Sequence, residues 1–225
     1  MTNILLEGYG IDEPWLYDEL KNYIKPEHLV AVAALAFRDS RVKSEQDWET
    51  LYGKEHGKYY NGIVNGLKSY GIAEEKISFI NYFTDTKASA AQKIKDADVI
   101  YFLGGLPDRM MERINELELY DSIINHCGIV MGYSAGAVVQ LEEYHLTPDE
   151  DYPEFGYYKG FPFVKDFYME VHYENSDQQN ESIKRIITEK NKPVYATAVR
   201  AGSIIVHGGK IKTIGDVKIF TSAED

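Results

Sequence analysis

The sequence predicts an α/β fold, with a mostly parallel central sheet flanked by helices on both faces and antiparallel strands at its C-terminal end. Three observations predict it. Up to about residue 190, short apolar runs alternate with amphipathic stretches, the rhythm of strands joined by helical crossovers. The runs are apolar at nearly every position, as strands covered on both faces are. Beyond that point the apolar runs become closely spaced and are separated by glycine, which reads as antiparallel strands joined by tight turns. The 225 residues, with a hydrophobic fraction of 44%, are read as one domain, 1–225, able to bury a core without a disulfide or metal staple.

Strands are predicted at residues 3–7, 29–35, 76–82, 98–103 and 128–132, each a buried apolar run. Between them, Pro14 opens a helix with Leu16, Leu20 and Ile24 on one face. Ser44 with Asp47 marks another helix start, and Tyr60, Ile63, Val64 and Leu67 keep helical spacing until Gly71. Met110, Ile114 and Leu117 mark a further helix. The run at 167–171 reads as a strand, followed by Ser176 and Gln179 capping a helix that carries Ile183, Ile186 and Ile187. Four close-spaced strands are expected at 194–199, 203–207, 210–214 and 217–220, with Gly202 and Gly208-Gly209 at the turns.

Charge and composition narrow the partners. Lys and Arg total 24 and Asp and Glu 36, a net charge of −12, which repels nucleic-acid phosphates and anionic lipid heads. No nucleic-acid or membrane partner is therefore expected. Cys127 is the single cysteine and can make neither an intrachain disulfide nor a cysteine-rich metal site. The first residues lack the charged and apolar regions of a signal peptide. The expectation is a cytoplasmic protein.

Open parallel sheets place their active sites beyond the carboxyl ends of the central strands, and two motifs stand at such ends. Gly132-Tyr133-Ser134-Ala135-Gly136 follows one apolar run and precedes a helical stretch, the strand–turn–helix context of a nucleophile elbow. Small neighbours let strand and helix approach closely, so that Ser134 projects from a sharp turn while the new helix aims free N–H groups at developing negative charge. Gly104-Gly105-Leu106-Pro107-Asp108 follows the run at 98–103. There an amide of Gly105 or Leu106 can share an oxyanion with that of Ala135, although a tight βα turn would look the same.

A serine nucleophile needs a base, held by an acid. Of six histidines, His172 alone ends a predicted strand beside a helix start; the others read as structural or surface residues. Asp149, Glu150 and Asp151, in the segment after the elbow, are candidate orienting acids, and so is Glu170, which shares a strand face with His172.

These residues resemble the peptidase E (α-aspartyl dipeptidase) family of serine peptidases, with cyanophycinase as a relative and a fold similar to the class I glutamine amidotransferase domain, itself flavodoxin-like. The anchors are the strand and glycine pair at 97–105, the elbow at 132–137 and Val171-His172-Tyr173. The resemblance implies Ser134 as nucleophile, His172 as base, an acid about fifteen residues after the serine at Asp149, and oxyanion donors at Ala135 and the third glycine-loop position, Leu106. It implies hydrolysis of short peptides, N-terminal aspartyl dipeptides among them, with no metal or cofactor. Two departures bear on substrate choice: the loop reads Gly-Gly-Leu-Pro-Asp where the family often has Gly-Gly-Gly-Asn-Thr, and Val171 stands where a proline is common.

The long aromatic segment at 149–163 is expected to wall a substrate pocket or to form a homodimer contact. Glu150 and Asp151 are candidates to bind a peptide amine, Arg109 and Arg200 to bind an acidic side chain, and Glu170 is a further substrate-binding candidate. The competing readings are a cyanophycinase-like hydrolase of aspartyl-arginine amides, an esterase of the α/β-hydrolase kind, and a non-catalytic binding protein on the same fold. The esterase reading is disfavoured because that fold places its histidine near the C-terminus, whereas several strands follow His172 here.

Overall fold

The computed structural model describes residues 1–8 and 10–222. In chain order its strands are β1 (Thr2–Leu6), β2 (Val30–Ala33), β3 (Ile77–Ile80), β4 (Val99–Phe102), β5 (Ile129–Tyr133), β6 (Glu143–Leu146), β7 (Gly156–Lys159), β8 (Tyr168–Tyr173), β9 (Val194–His207) and β10 (Lys210–Phe220). Its helices are α1 (Pro14–Leu20), α2 (Glu45–Tyr52), α3 (Tyr60–Lys68), α4 (Lys87–Asp96), α5 (Pro107–Glu116), α6 (Tyr120–Ile124), α7 (Ala135–Val138) and α8 (Asp177–Lys190). Local chemistry starts them where expected. Ser44 accepts from the Asp47 amide to cap α2, and Ser176 and Gln179 form a reciprocal capping box on α8.

The main sheet has the order β10-β9-β1-β5-β4-β2-β3, with β8 added beside β9. The run from β1 to β3 is parallel, while β9 is antiparallel to β1 and β10. The mostly parallel sheet with antiparallel C-terminal strands is therefore present. Alternate residues of each parallel strand feed opposite faces. Leu5, Ile100 and Val130 pack beneath Ile94, Met110 and Ile123, whereas Ile4, Tyr101 and Met131 pack with Leu16, Trp48 and Leu67. Burying a side chain of this size contributes about 1.5–3 kcal/mol, and both faces are filled. That is why the strands read as continuous apolar runs.

The C-terminal region departs from the expectation of four short strands. It forms two long ones, whose pairing runs on through Gly202 opposite Gly215, with a register shift next to Gly215. The continuation of β9 past Gly202 has a topological consequence. On one edge, β9 pairs first with β8, from Tyr168↔Val194 to Tyr173↔Ala198, and then with β1, from Leu6↔Ser203 to Thr2↔His207. β8 is parallel to β9 and β1 is antiparallel, so β1 and β8 run toward each other and their carboxyl ends meet.

The aromatic segment at 149–163 contributes one strand, β7, which pairs with β6 just before the segment. β6 and β7 pair as a separate two-stranded sheet, with Tyr144 stacked on Tyr158 at 5.6 Å between ring centroids. No described helix is long and apolar enough to cross a membrane.

Candidate active site

The carboxyl ends of the parallel strands converge on Ser134. It follows β5 with φ 51° and ψ −116°, a conformation that costs a non-glycine residue about 1–3 kcal/mol. The surrounding backbone compensates. The Ser134 amide donates to the Leu6 carbonyl at 3.0 Å, and its carbonyl accepts from the Ala137 and Val138 amides. Glycine is needed on both sides: a Cβ on Gly132 would sit 2.2 Å from the Gly136 oxygen, and one on Gly136 would sit 2.2 Å from the Phe102 oxygen. This tight crossing turns the Ser134 side chain out of the sheet.

Ser134 Oγ lies 2.8 Å from His172 Nε2. His172 comes from the end of β8, where the pairing with β9 shifts register between Glu170 and Tyr173 and φ is 55°. Such a bulge re-aims a side chain. Gln179, at the start of α8, donates to the His172 carbonyl at 2.9 Å. The sequence-predicted serine and histidine are thus brought together.

The predicted acid is not with them. His172 Nδ1 is 2.5 Å from Glu7 Oε1, and the His172 backbone amide donates to Glu7 Oε2 at 2.9 Å. Glu7 directly follows β1 and its side chain is only 2% exposed. Asp149 instead closes its own loop, accepting from the Asp151 and Tyr152 amides at 2.8 Å each. The physical reason is the meeting of β1 and β8 along β9, which places the residue after β1 against the end of β8. Glu7 was legible only as an acidic residue ending a buried strand, as Ser134 does.

With Glu7 as a carboxylate, Nδ1 must carry a hydrogen, and Nε2 is left to accept from the serine hydroxyl. The hydrogen bond to Glu7, reinforced by its charge, holds the His172 imidazole above the usual histidine range and outweighs the downward push of desolvation.

The glycine loop also differs in detail. Gly105 has φ 140°, and a Cβ there would meet the Ala36 oxygen at 2.1 Å. The Leu106 amide is already spent, donating to that same carbonyl at 2.8 Å. Of the three amides expected to meet an oxyanion, that of Leu106 is therefore already engaged, whereas that of Ala135, at the start of α7, has no intrahelical acceptor.

A cleft of about 510 Å³ opens beside the pair, with Ser134, His172, Gly105, Arg38, Asp149 and Glu170 in its walls. A second, of about 460 Å³, shares the first four of these and adds Arg41 and the rings of Phe37 and Tyr59. Of the remaining predicted substrate-binding residues, Glu150 is exposed and Arg109 pairs with Asp39 and Glu112 on the surface; neither lines the first cleft. The Arg200 side chain lies outside the described residues. The cations at the clefts, Arg38 and Arg41, were missed because nothing local distinguishes them. Arg38 forks onto Asp151, its Nε 2.9 Å from Oδ1, and the Tyr152 hydroxyl donates to Asp108 at 2.5 Å. These contacts pin the loop after β6 over the cleft.

Residues 52–214 match the model of the family described as peptidase family S51. Among solved structures, the chain is similar to a candidate peptidase E from Listeria monocytogenes EGD-e, at 19% identity and a TM-score of 0.66 over 96% of this chain and 98% of that one. It is also similar to a peptidase from an acI-B1 Actinobacterium, at 16% identity and a TM-score of 0.65 over 99% and 91% of the two chains. At such identities the likeness is one of fold. No curated protein matches the sequence.

Proposed function

The chain belongs to peptidase family S51, a family of serine peptidases, and on that premise we propose that it hydrolyses short peptides by acyl transfer to Ser134. One observation carries the reading. Hydroxyl, imidazole and carboxylate of Ser134, His172 and Glu7 stand in a chain of 2.8 and 2.5 Å contacts, with the hydroxyl raised on a turn of positive φ.

In the first half-reaction His172 Nε2 takes the hydroxyl proton as Ser134 Oγ bonds to the scissile carbonyl carbon. Glu7 keeps the imidazole in the required tautomer and stabilises the imidazolium. The Gly105 and Ala135 amides receive the oxyanion, each contributing about 3 kcal/mol to the transition state. The carbon–nitrogen bond then breaks, and the proton on Nε2 passes to the leaving amine. In the second half-reaction a water gives its proton to Nε2 and its oxygen to the acyl carbon, and Ser134 leaves with that proton restored. The size of the cleft supports a ligand of a few residues.

Ser134→Ala is expected to reduce hydrolysis of a short-peptide library roughly 10⁴-fold or more, and a phosphonate is expected to label Ser134 in the wild-type enzyme, as read by mass spectrometry. Peptide turnover by Ser134→Ala at the wild-type rate would overturn the mechanism. Turnover of esters without peptides would favour the esterase reading.

A further inference from the structure

α5 begins directly behind the glycine loop, and within two turns of its start it carries Arg113, a guanidinium only 4% exposed. Taking such a cation out of water is costly unless its donors are met. Arg113 meets them on one short segment, the residues that follow β2. Nη1 donates to the Leu35 carbonyl at 2.5 Å and to that of Phe37 at 2.9 Å, and Nη2 donates to the Asp39 carboxylate. The guanidinium also lies over the Phe37 ring, 3.6 Å from its centroid. A planar fork of this kind fixes several acceptors at once, which the single nitrogen of a lysine does not.

The carbonyl between the two clamped ones is turned to the glycine loop. That of Ala36 accepts from the Leu106 amide at 2.8 Å. Gly105 lies so close to it that an added Cβ would meet its oxygen at 2.1 Å. Peptide units are planar, so holding the units on either side leaves the Ala36 unit little freedom. The next residues, Phe37 and Arg38, stand in the walls of the second cleft, and Arg38 in those of the first as well. Arg113 itself lines neither cleft.

We propose that Arg113 is a positioning residue for the oxyanion pocket. By clamping the carbonyls of Leu35 and Phe37 it sets the Ala36 carbonyl, and through it the placement of the Gly105 amide beside Ser134. The proposal rests on the serine-peptidase reading of that site and adds to it a residue that acts on the transition state without touching the substrate. An oxyanion donor is effective only when aimed at the point where charge develops, and a displacement of about 1 Å costs about 10²-fold in rate. Loosening the clamp therefore lowers kcat and leaves ground-state binding alone.

Arg113→Lys tests it, because lysine keeps the charge and loses the fork. Stoichiometric phosphonate titration counts the competent sites, so that kcat is expressed per folded molecule. The variant is expected to lose at least about tenfold in kcat with KM within about threefold of wild type. Its rate of phosphonylation is expected to fall in step, since the phosphonyl oxygen takes the oxyanion's place. An arginine that served stability alone would lower the melting temperature and leave both rates per site unchanged. A smaller loss of kcat, a loss carried by KM, or an unchanged phosphonylation rate overturns the proposal. If Arg113→Lys does not fold, a crystal structure of the phosphonylated wild-type enzyme replaces it. There the Gly105 amide is expected about 3 Å from the phosphonyl oxygen, with Leu106 still on Ala36 and Arg113 still on Leu35 and Phe37. A Gly105 amide out of reach of that oxygen, or a broken clamp, is the overturning result. The two readings fail separately: no label on wild-type Ser134 sinks the serine mechanism, whereas equal labelling rates in wild type and Arg113→Lys sink only the role given to Arg113.

Discussion

Ser134 and His172 both sit at positive φ, 51° and 55°, but the molecule holds them there by different means. At Ser134 the support is backbone and the absence of side chains: the Leu6 carbonyl, the first amides of α7, and the crossing of Gly132 with Gly136. At His172 the support is polar side chains. Glu7 takes both its backbone amide and its ring nitrogen, and Gln179 holds its carbonyl. The first arrangement is steric and indifferent to pH. The second runs through a carboxylate and an imidazole, so the position of the imidazole is coupled to its charge.

The largest effect is expected at the steric site. Gly136→Ala has no room beside the Phe102 oxygen, and a denaturant titration is expected to show a loss of about 3 kcal/mol or more. A stability equal to wild type would mean that the elbow is softer than its contacts imply. At the polar site the fold should survive and the rate should not. Glu7→Gln is expected to lower kcat about 10²- to 10⁴-fold, because the imidazole loses the partner that fixes its tautomer. Its pH profile carries a further sign. The base must be neutral to act, and Glu7 raises the pH at which His172 loses its proton. Wild-type kcat/KM should therefore fall as pH drops through a value above the usual histidine range, and in Glu7→Gln that acid limb should move to lower pH.

Two smaller effects sharpen the contrast. Asp149→Asn is expected to lower kcat at least about tenfold less than Glu7→Gln, because its carboxylate closes a loop and does not touch the imidazole; equal losses would return Asp149 to the orienting role. Gln179→Ala removes the hydrogen bond to the His172 carbonyl, about 1 kcal/mol, together with the Gln179 half of the α8 capping box. A several-fold drop in kcat with little change in KM is expected in steady-state kinetics. The smallest signal is in stability. A base whose pKa is raised on folding stabilises the protein fully below its unfolded pKa and loses that contribution as pH rises through the folded value. The melting temperature of wild type should decline slightly above pH 6.5, and that of Glu7→Gln should lack this component.

The same contrast explains how much of the site could be read in advance. Ser134 was legible because its requirements are contiguous: an apolar strand, small residues on either side and a helix, all within about ten positions. His172 was partly legible, as a strand end before the capping pair Ser176 and Gln179, and the family resemblance raised it above the other histidines. Asp149 followed from that resemblance, and the chain supplied Glu7 from 165 residues before the base. Leu106 carried an available amide in the sequence, but the Ala36 carbonyl uses it. The β6–β7 hairpin escaped notice because its aromatic run has no clean alternation.

By itself, then, the order of residues determined what depends on near neighbours: the buried parallel strands, the helix caps and the turn that raises a hydroxyl. Tertiary structure alone decided which carboxylate meets the imidazole and which amides stay free. The reason is geometric. A side chain's partner is set by which strand ends converge, and here the length of β9, which runs on past Gly202, lets β1 and β8 share one edge and meet end to end.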